Sequence, residues 1–193
     1  MFTRRHFIAT AAAGGLAAPA IAQNATPVAA AAPADPLAPT QVTIPEGFGP
    51  GEIHVDPNIF RLYYTLGGNQ AIRYAVGVGR VGLYESGVFR VGAKREWPSW
   101  TPTPDMIARE PENYARFADG VPGGPSNPLG ARAIYLYDGN RDTYLRIHGT
   151  NLPRTIGTAV SNGCARLTNE YVVDLYDRTQ IDAPVYLYNR IPA

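Results

Sequence analysis

The sequence has little of what disulfide bonds and metal sites require. Its 193 residues include one cysteine, Cys164, and three histidines. One cysteine cannot form an intramolecular disulfide. Beyond residue 22 the chain keeps two histidines, His54 and His148, and together with one cysteine at this spacing they match no common zinc site. We therefore expect no disulfide, no metal and no other cofactor.

A strong charge of either sign is also missing. Charged residues make up 17% of the chain, and the formal net charge is +1. Without residues 1–22, which contain two arginines and no acidic residue, the net charge becomes −1. This balance is not the basic footprint of a protein that binds nucleic acid or an anionic membrane surface. We expect no nucleic-acid partner.

The chain lacks an apolar run long enough for a convincing transmembrane helix, and its first residues are typical of an export signal. Residues 3–8 read TRRHFI, a twin-arginine pattern, and an apolar run rich in Ala and Gly follows. Residues 20–22 read AIA and provide an A-x-A cleavage site. The expectation is a signal peptide at residues 1–22 and export by the twin-arginine route to the periplasm or cell envelope of a Gram-negative bacterium. An uncleaved anchor is the alternative.

Composition divides the remaining chain into a linker and one domain. Residues 24–41 read NATPVAAAAPADPLAPTQ, where repeated proline excludes a regular helix and favours an extended tether. Residues 23–41 are therefore predicted to be a disordered linker. The roughly 150 residues that follow, 42–193, are enough for a single domain with one core.

Apolar alternation and turn residues predict a domain made mostly of strands. Two hairpins are indicated, one at the turn GGNQ of residues 67–70 and one at the turn DGNR of residues 138–141. A helix is predicted over residues 167–178 with Thr168 as its N-cap, and a second has weaker support over 107–118. The predicted strands cover residues 52–56, 59–66, 71–78, 88–93, 131–137, 143–148 and 184–189.

The reactive residues are concentrated in residues 147–167, which read IHGTNLPRTIGTAVSNGCARL. A thiol becomes a strong nucleophile as a thiolate, and a nearby imidazole can take its proton and later protonate a leaving amine. Gly163 would let a substrate carbonyl approach the backbone amides of Gly163 and Cys164, which could form an oxyanion hole. The alternative is that Cys164 is a small buried hydrophobe and His148 a structural histidine. His54 is interpreted as an ordinary strand histidine.

Neighbouring residues offer candidates for substrate binding. Ser161 and Asn162 could hold the loop through hydrogen bonds to the backbone, and Arg166 could receive a carboxylate or form a structural salt bridge. Trp97 and Trp100 lie in a proline-rich segment and could form a substrate wall or close one end of the fold. The Gly/Pro-rich loop of residues 120–130 is of a kind that often forms a lid or a binding wall.

The string around Cys164 resembles the active-site signature of the L,D-transpeptidases, the YkuD/ErfK family of peptidoglycan enzymes. Many members carry His directly before the Gly-Cys pair, whereas this chain carries Asn162. The matching residues are Ile147, His148, Gly149, Thr150, Asn151, Pro153, Ile156, Gly157, Val160, Ser161, Gly163, Cys164, Arg166 and Leu167. The resemblance implies a mostly-β, YkuD-type β-sandwich with one or two helices.

The same resemblance implies the site and the reaction. Cys164 would be the nucleophile and His148 the general base and acid, with the backbone carbonyl of Gly149 orienting the imidazole. Thr150 joins Ser161, Asn162 and Arg166 among the substrate-binding candidates. The expected partners are peptidoglycan stem peptides, and the expected inhibitors are carbapenems.

The expected reaction of the acyl-enzyme is the formation of 3→3 cross-links between stem peptides. As an alternative, the acyl-enzyme would be hydrolysed, as in an L,D-carboxypeptidase. It could also be passed to a lysine that anchors an outer-membrane protein to peptidoglycan. A wall-binding protein without turnover is the alternative from a different class.

Overall fold

The computed structural model describes residues 35–191, and these form a mostly-β structure with few helices, as predicted. The predicted signal peptide and residues 23–34 of the predicted linker lie outside this range. The strands are β1 Thr40–Thr43, β2 Ile53–Asp56, β3 Arg61–Gly67, β4 Gln70–Ala75, β5 Val78–Gly79, β6 Gly87–Glu96, β7 Arg132–Asp138, β8 Arg141–His148, β9 Ala159–Ser161, β10 Ala165–Arg166 and β11 Pro184–Leu187. The α-helices are α1 Pro104–Arg109, α2 Pro111–Tyr114 and α3 Asn169–Arg178, with 3₁₀ turns at Ala115–Phe117 and Pro153–Thr155.

Nine strands hydrogen-bond in the order β1-β4-β3-β2-β11-β6-β7-β8-β10, and β5 pairs with β9 in a second, parallel sheet. Both predicted hairpins are present, as the antiparallel pairs β3–β4 and β7–β8. Gly67, Gly68 and Asn69 adopt φ values of 83°, 56° and 58° in the first turn, a region that glycine and asparagine tolerate best. The turn residues of the sequence therefore identified two connections of the sheet correctly.

One hydrophobic core serves both sheets and the long helix. It includes Val91 and Ile134 of the large sheet, Val78 of the small sheet, and Val172 and Leu175 of α3. Each of these side chains is fully buried. Since α3 packs on β7 and β8, the helix supports the part of the sheet that ends at His148.

Several predicted boundaries differ from the structure, and three of the differences have a clear physical reason. Strand β1 begins at Thr40, inside the predicted linker, because its four residues pair with β4. The predicted strand 71–78 is interrupted, since Gly77 leaves β4 and exchanges backbone hydrogen bonds with Arg166. The predicted helix 107–118 is split at Pro111, whose missing N–H and ring disfavour a continuous helix.

The C-terminal helix agrees with its prediction. It spans Asn169–Arg178, and the side chain of Thr168 accepts a hydrogen bond from the backbone N–H of Tyr171. The N-cap prediction is therefore confirmed. Within residues 35–191, no helix is both long and apolar enough to cross a membrane.

Candidate active site

The candidate site is built where strand β8 ends and strand β10 begins. These strands pair in parallel, with Ala165 opposite Ile147 and Arg166 opposite His148. Paired residues share one face of a sheet, and Cys164 precedes Arg166 by two positions. Since Cys164 directly precedes β10, this pairing brings it to the part of β8 that carries Arg146 and His148.

The imidazole of His148 is buried and held in one tautomer. Its Nδ1 lies 2.6 Å from the backbone carbonyl oxygen of Gly149, so Nδ1–H donates and Nε2 is left as the basic nitrogen. The pKa of His148 is lowered to about 4, mainly by burial and also by the nearby charges of Arg166 and Arg146, while the hydrogen bond to Gly149 opposes the shift. The imidazole is therefore neutral at pH 7 and able to accept a proton.

The thiol of Cys164 is half-buried, and its Sγ lies 3.9 Å from the backbone carbonyl oxygen of Tyr144. Burial raises the pKa of the Cys164 thiol, while a backbone hydrogen bond from Arg146 and the charges of Arg146 and Arg166 oppose that rise. Both the thiol and the imidazole are therefore neutral at pH 7.

Ser161 holds the loop that leads to Cys164. Its hydroxyl donates to the backbone carbonyl of Cys164 over 2.6 Å, and its Oγ accepts the backbone N–H of Gly163 over 3.3 Å. Gly163 has φ 121°, a conformation that L side chains rarely adopt. The backbone N–H of Gly163, one of the two predicted oxyanion donors, thus has an intramolecular acceptor in this structure.

Asn169, at the start of α3, fixes the chain around His148. Its Oδ1 accepts backbone N–H groups from Ala131 (3.0 Å) and Thr150 (3.2 Å). A Cβ atom added to Gly149 or Gly130 would collide with this oxygen, so both positions need glycine. The carbonyl that orients His148 is therefore held in place by the first turn of α3.

The hydroxyl of Thr150, a predicted substrate-binding group, is used within the chain. Its Oγ1 accepts the backbone N–H of Leu152 over 3.0 Å, and the residue is buried. Thr150 therefore shapes the turn after β8 in this structure.

Two arginines bring positive charge to the site. Among the residues that the structure describes, Nε and Nη2 of Arg166 are enclosed and have no hydrogen-bond partner. Arg146 instead donates to both carboxylate oxygens of Asp142, over 2.7 and 2.8 Å, and lies over the ring of Tyr135. Arg146 is thus fully paired, whereas Arg166 keeps buried N–H groups that a carboxylate would satisfy.

The segment that contains the two tryptophans approaches the site through α1 and α2. Trp100 packs edge-on against Tyr114 and Phe117, with ring centroids 6.3 and 5.8 Å away. Tyr114 in turn contacts Asn162, two residues before the thiol. Trp97 is 44% exposed and has φ 41°. Trp100 therefore packs behind Tyr114, which contacts the loop before Cys164, while the side chain of Trp97 is exposed.

His54 lies elsewhere in the sheet. It belongs to β2, which β11, β6 and β7 separate from β8. Its ring nitrogens contact the hydroxyl of Tyr188 and a carboxylate oxygen of Glu52, each over 3.0 Å. Both nitrogens are thus satisfied, and His54 contributes nothing to the Cys164 site. Across residues 35–191, no three His, Cys, Asp or Glu side chains converge as metal ligands.

Sequence reasoning missed Arg146, Tyr144 and Asn169. Arg146 precedes His148 by two positions on the same strand, so strand alternation alone would have placed it on the face of the site. The contact of Tyr144 is made by its carbonyl oxygen, and the role of Asn169 depends on how α3 meets two distant loops. Neither the carbonyl contact of Tyr144 nor the role of Asn169 has a signature in the sequence.

A comparison with models of protein families identifies the family to which this chain belongs. The model described as the YkuD L,D-transpeptidase catalytic domain matches residues 50–187, which include β8, β10 and Cys164. The chain belongs to this family. The family predicted from the signature around Cys164 is therefore confirmed.

Individual relatives agree. The chain is 34% identical over 158 residues to the probable L,D-transpeptidase ErfK/SrfK of Escherichia coli K12, a match that covers 79% of this chain and 48% of that protein. The probable L,D-transpeptidase YbiS of the same strain is 32% identical over 149 residues, covering 76% of this chain and 47% of that protein. The chain thus spans about half the length of these curated relatives.

Solved structures show the same YkuD fold. A Brucella melitensis crystal structure, named a probable carnitine operon oxidoreductase, is 46% identical with a TM-score of 0.55 and covers 83% of this chain and 96% of its own. A mutant L,D-transpeptidase of Enterococcus faecium is 16% identical with a TM-score of 0.55, covering 72% of this chain and 50% of its own. At that identity, the second likeness concerns the fold alone.

Proposed function

We propose that this YkuD domain is a peptidoglycan L,D-transpeptidase that forms 3→3 cross-links through a cysteine acyl-enzyme. One observation carries the proposal. The pairing of β8 with β10 brings His148 and Cys164, the residue before β10, to one region of the sheet, and the Gly149 carbonyl leaves Nε2 as the basic nitrogen of His148. The membership of the family supports the substrate class.

The first half-reaction forms the acyl-enzyme. Sγ of Cys164 bonds to the carbonyl carbon between the third stem residue, a diamino acid, and its terminal D-alanine, while its proton passes to Nε2 of His148. The amide C–N bond then breaks, and His148 returns the proton to the departing amine of D-alanine. Because His148 is neutral at pH 7, it can accept the proton at the moment of attack.

The second half-reaction transfers the acyl group. The side-chain amine of a diamino acid on a second stem attacks the thioester, a new C–N bond forms, and the C–S bond breaks. His148 takes a proton from the attacking amine and returns it to sulfur, which regenerates the neutral pair. The enclosed N–H groups of Arg166 favour a site for a stem carboxylate beside Cys164.

The reaction would take place in the periplasm, after export of the folded chain by the twin-arginine route. The twin arginines at residues 4 and 5 and the A-x-A site at residues 20–22 support this part of the proposal.

The decisive experiment is incubation of the chain without residues 1–22 with purified disaccharide-tetrapeptide, followed by mass spectrometry. We expect a cross-linked dimer that has lost one D-alanine, and no product with Cys164→Ser at an unchanged melting temperature. Tripeptide alone would identify a carboxypeptidase. Modification of Cys164 by a carbapenem without either product would favour a protein acceptor, such as an outer-membrane protein, and no modification at all would contradict the proposal.

A further inference from the structure

The side chain of Asn162, two residues before Cys164, is bonded on both its polar atoms. Its Oδ1 accepts from Nη2 of Arg109 over 2.8 Å and from Nη2 of Arg80 over 3.4 Å. Its Nδ2 donates to the phenol oxygen of Tyr114 over 2.7 Å. These partners are side chains, whereas the sequence suggested hydrogen bonds from Asn162 to the backbone.

The partners of Asn162 belong to two separate parts of the chain. Arg109 and Tyr114 are the last residues of α1 and α2, and Arg80 directly follows β5. Glu110 connects them further, because its carboxylate pairs with Arg80 and lies 3.7 Å from Nε of Arg109. The amide of Asn162 thus joins the helical segment and Arg80 to the loop before Cys164, and the carboxylate of Glu110 joins the helical segment to Arg80.

The helical segment, residues 104–114, lies between Trp100 and Val121, whose backbone groups pair with each other. No residue of α1 or α2 is buried, so neither helix inserts a side chain fully into the core. The packing of Trp100 against Tyr114 lies within the same segment. Its side-chain hydrogen bonds to the loop before Cys164 are those of Arg109 and Tyr114 with Asn162, beside the ion pair of Glu110 with Arg80.

We propose that Asn162 is a positioning residue, whose amide fixes the α1–α2 segment and the loop carrying Cys164 in one arrangement for acyl transfer. This inference rests on the function proposed above. An amide suits the position because it offers an acceptor for the guanidinium groups and a donor for the phenol from one planar group. Alanine offers neither, and a histidine offers one of each.

The role is tested by removing the contact from each side. Asn162→Ala removes the amide, and Tyr114→Phe removes the phenol while keeping the ring that packs on Trp100. Glu112→Ala, an exposed residue of the same helix, is the matched control. The readouts are the acylation rate with a carbapenem, the alkylation rate of Cys164 with iodoacetamide, and the melting temperature.

We expect each variant to slow carbapenem acylation by about 10- to 100-fold, since small misplacements of reacting groups have effects of this size. Iodoacetamide is small, and its reaction does not need the α1–α2 segment to be held beside Cys164. The rate of Cys164 alkylation follows the thiolate fraction, so we expect it to change by less than about twofold. The double variant Asn162→Ala/Tyr114→Phe should be acylated no more slowly than the slower of the two single variants, because both substitutions remove the hydrogen bond between Asn162 and Tyr114. Asn162→His should recover part of the rate.

Other results would overturn the inference. Equal acylation of Asn162→Ala and the unaltered chain would exclude a positioning role and leave the proposed function intact. A parallel fall in acylation, alkylation and melting temperature would assign Asn162 a purely structural role. An unaltered chain that the carbapenem does not modify would contradict the proposed function itself, and the inference with it.

Discussion

Burial moves the pKa values of His148 and Cys164 in opposite directions, and both shifts keep the pair uncharged. The imidazole pKa falls to about 4, and the thiol pKa rises. An ion pair of thiolate and imidazolium is therefore not the resting state. Arg146 and Arg166 lower the pKa of Cys164 against the effect of burial, which favours the thiolate once its proton has moved.

The single residue His148 gives the first prediction. Replacing it by glutamine removes the base, so acylation by a carbapenem should slow by about 10²–10⁴-fold. Mass spectrometry of the acyl-enzyme over time measures the rate. His54→Gln is the matched control, because that histidine lies outside the site, and its acylation rate should stay near that of the unaltered chain. Equal rates for His148→Gln and the unaltered chain would remove His148 from the mechanism.

At the scale of secondary-structure elements, the site depends on how the start of α3 meets the ends of two strands. Asn169→Ala would leave the N–H groups of Ala131 and Thr150 without their acceptor. Two lost hydrogen bonds of this kind cost about 1–3 kcal/mol each when the groups are enclosed. We expect a lower free energy of unfolding in urea and a slower acylation, because Gly149 loses its support.

The isosteric variant Asn169→Asp separates the hydrogen bonds from the packing. It keeps the acceptor oxygen at the same place and should retain most of the unfolding free energy. If Asn169→Asp and Asn169→Ala lost the same amount of stability, the contribution of Asn169 would come from something other than its Oδ1.

The sequence predicted the elements better than their arrangement. Both hairpins were predictable, since Gly and Asn at turns specify local geometry, and so was the helix capped by Thr168. The two-residue strand β10 was not, because it is too short to show alternation and exists through its pairing with β8. The place of β11 between β2 and β6 depends on pairing between distant parts of the chain, which no local pattern encodes.

Among the residues of the site, too, local features were predictable from the sequence and contacts between distant segments were not. That Cys164, His148 and Gly149 lie in one region was predictable, because they are close in sequence and share a signature, while their roles in the reaction stay a prediction. The contacts of Asn162 with Arg109 and Tyr114, and those of Asn169 with Ala131, link segments more than 35 residues apart. Such contacts follow from the folded arrangement, so the residues that position the reactive groups became visible only in the structure.

For the whole molecule, the buried imidazole couples stability to pH. The folded chain holds the pKa of His148 at about 4, below its ordinary value of 6.5. Between these values the unfolded chain binds a proton that the folded chain does not. The free energy of unfolding should therefore fall as the pH is lowered from 6.5 to 4, by about 3 kcal/mol from this residue. His54 adds a change of the same sign, since burial lowers its pKa as well.

Comparison with His148→Gln isolates this effect, because His54 and every carboxylate are present in both proteins. Urea unfolding at pH 7 and at pH 4 should show a smaller loss of stability in the variant, by about 3 kcal/mol. Equal losses in the two proteins would mean that His148 titrates near its ordinary pKa in the folded chain. The acyl-transfer site would then start from a charged imidazole at mildly acid pH, and acylation should fall below about pH 6.5 instead of about pH 4.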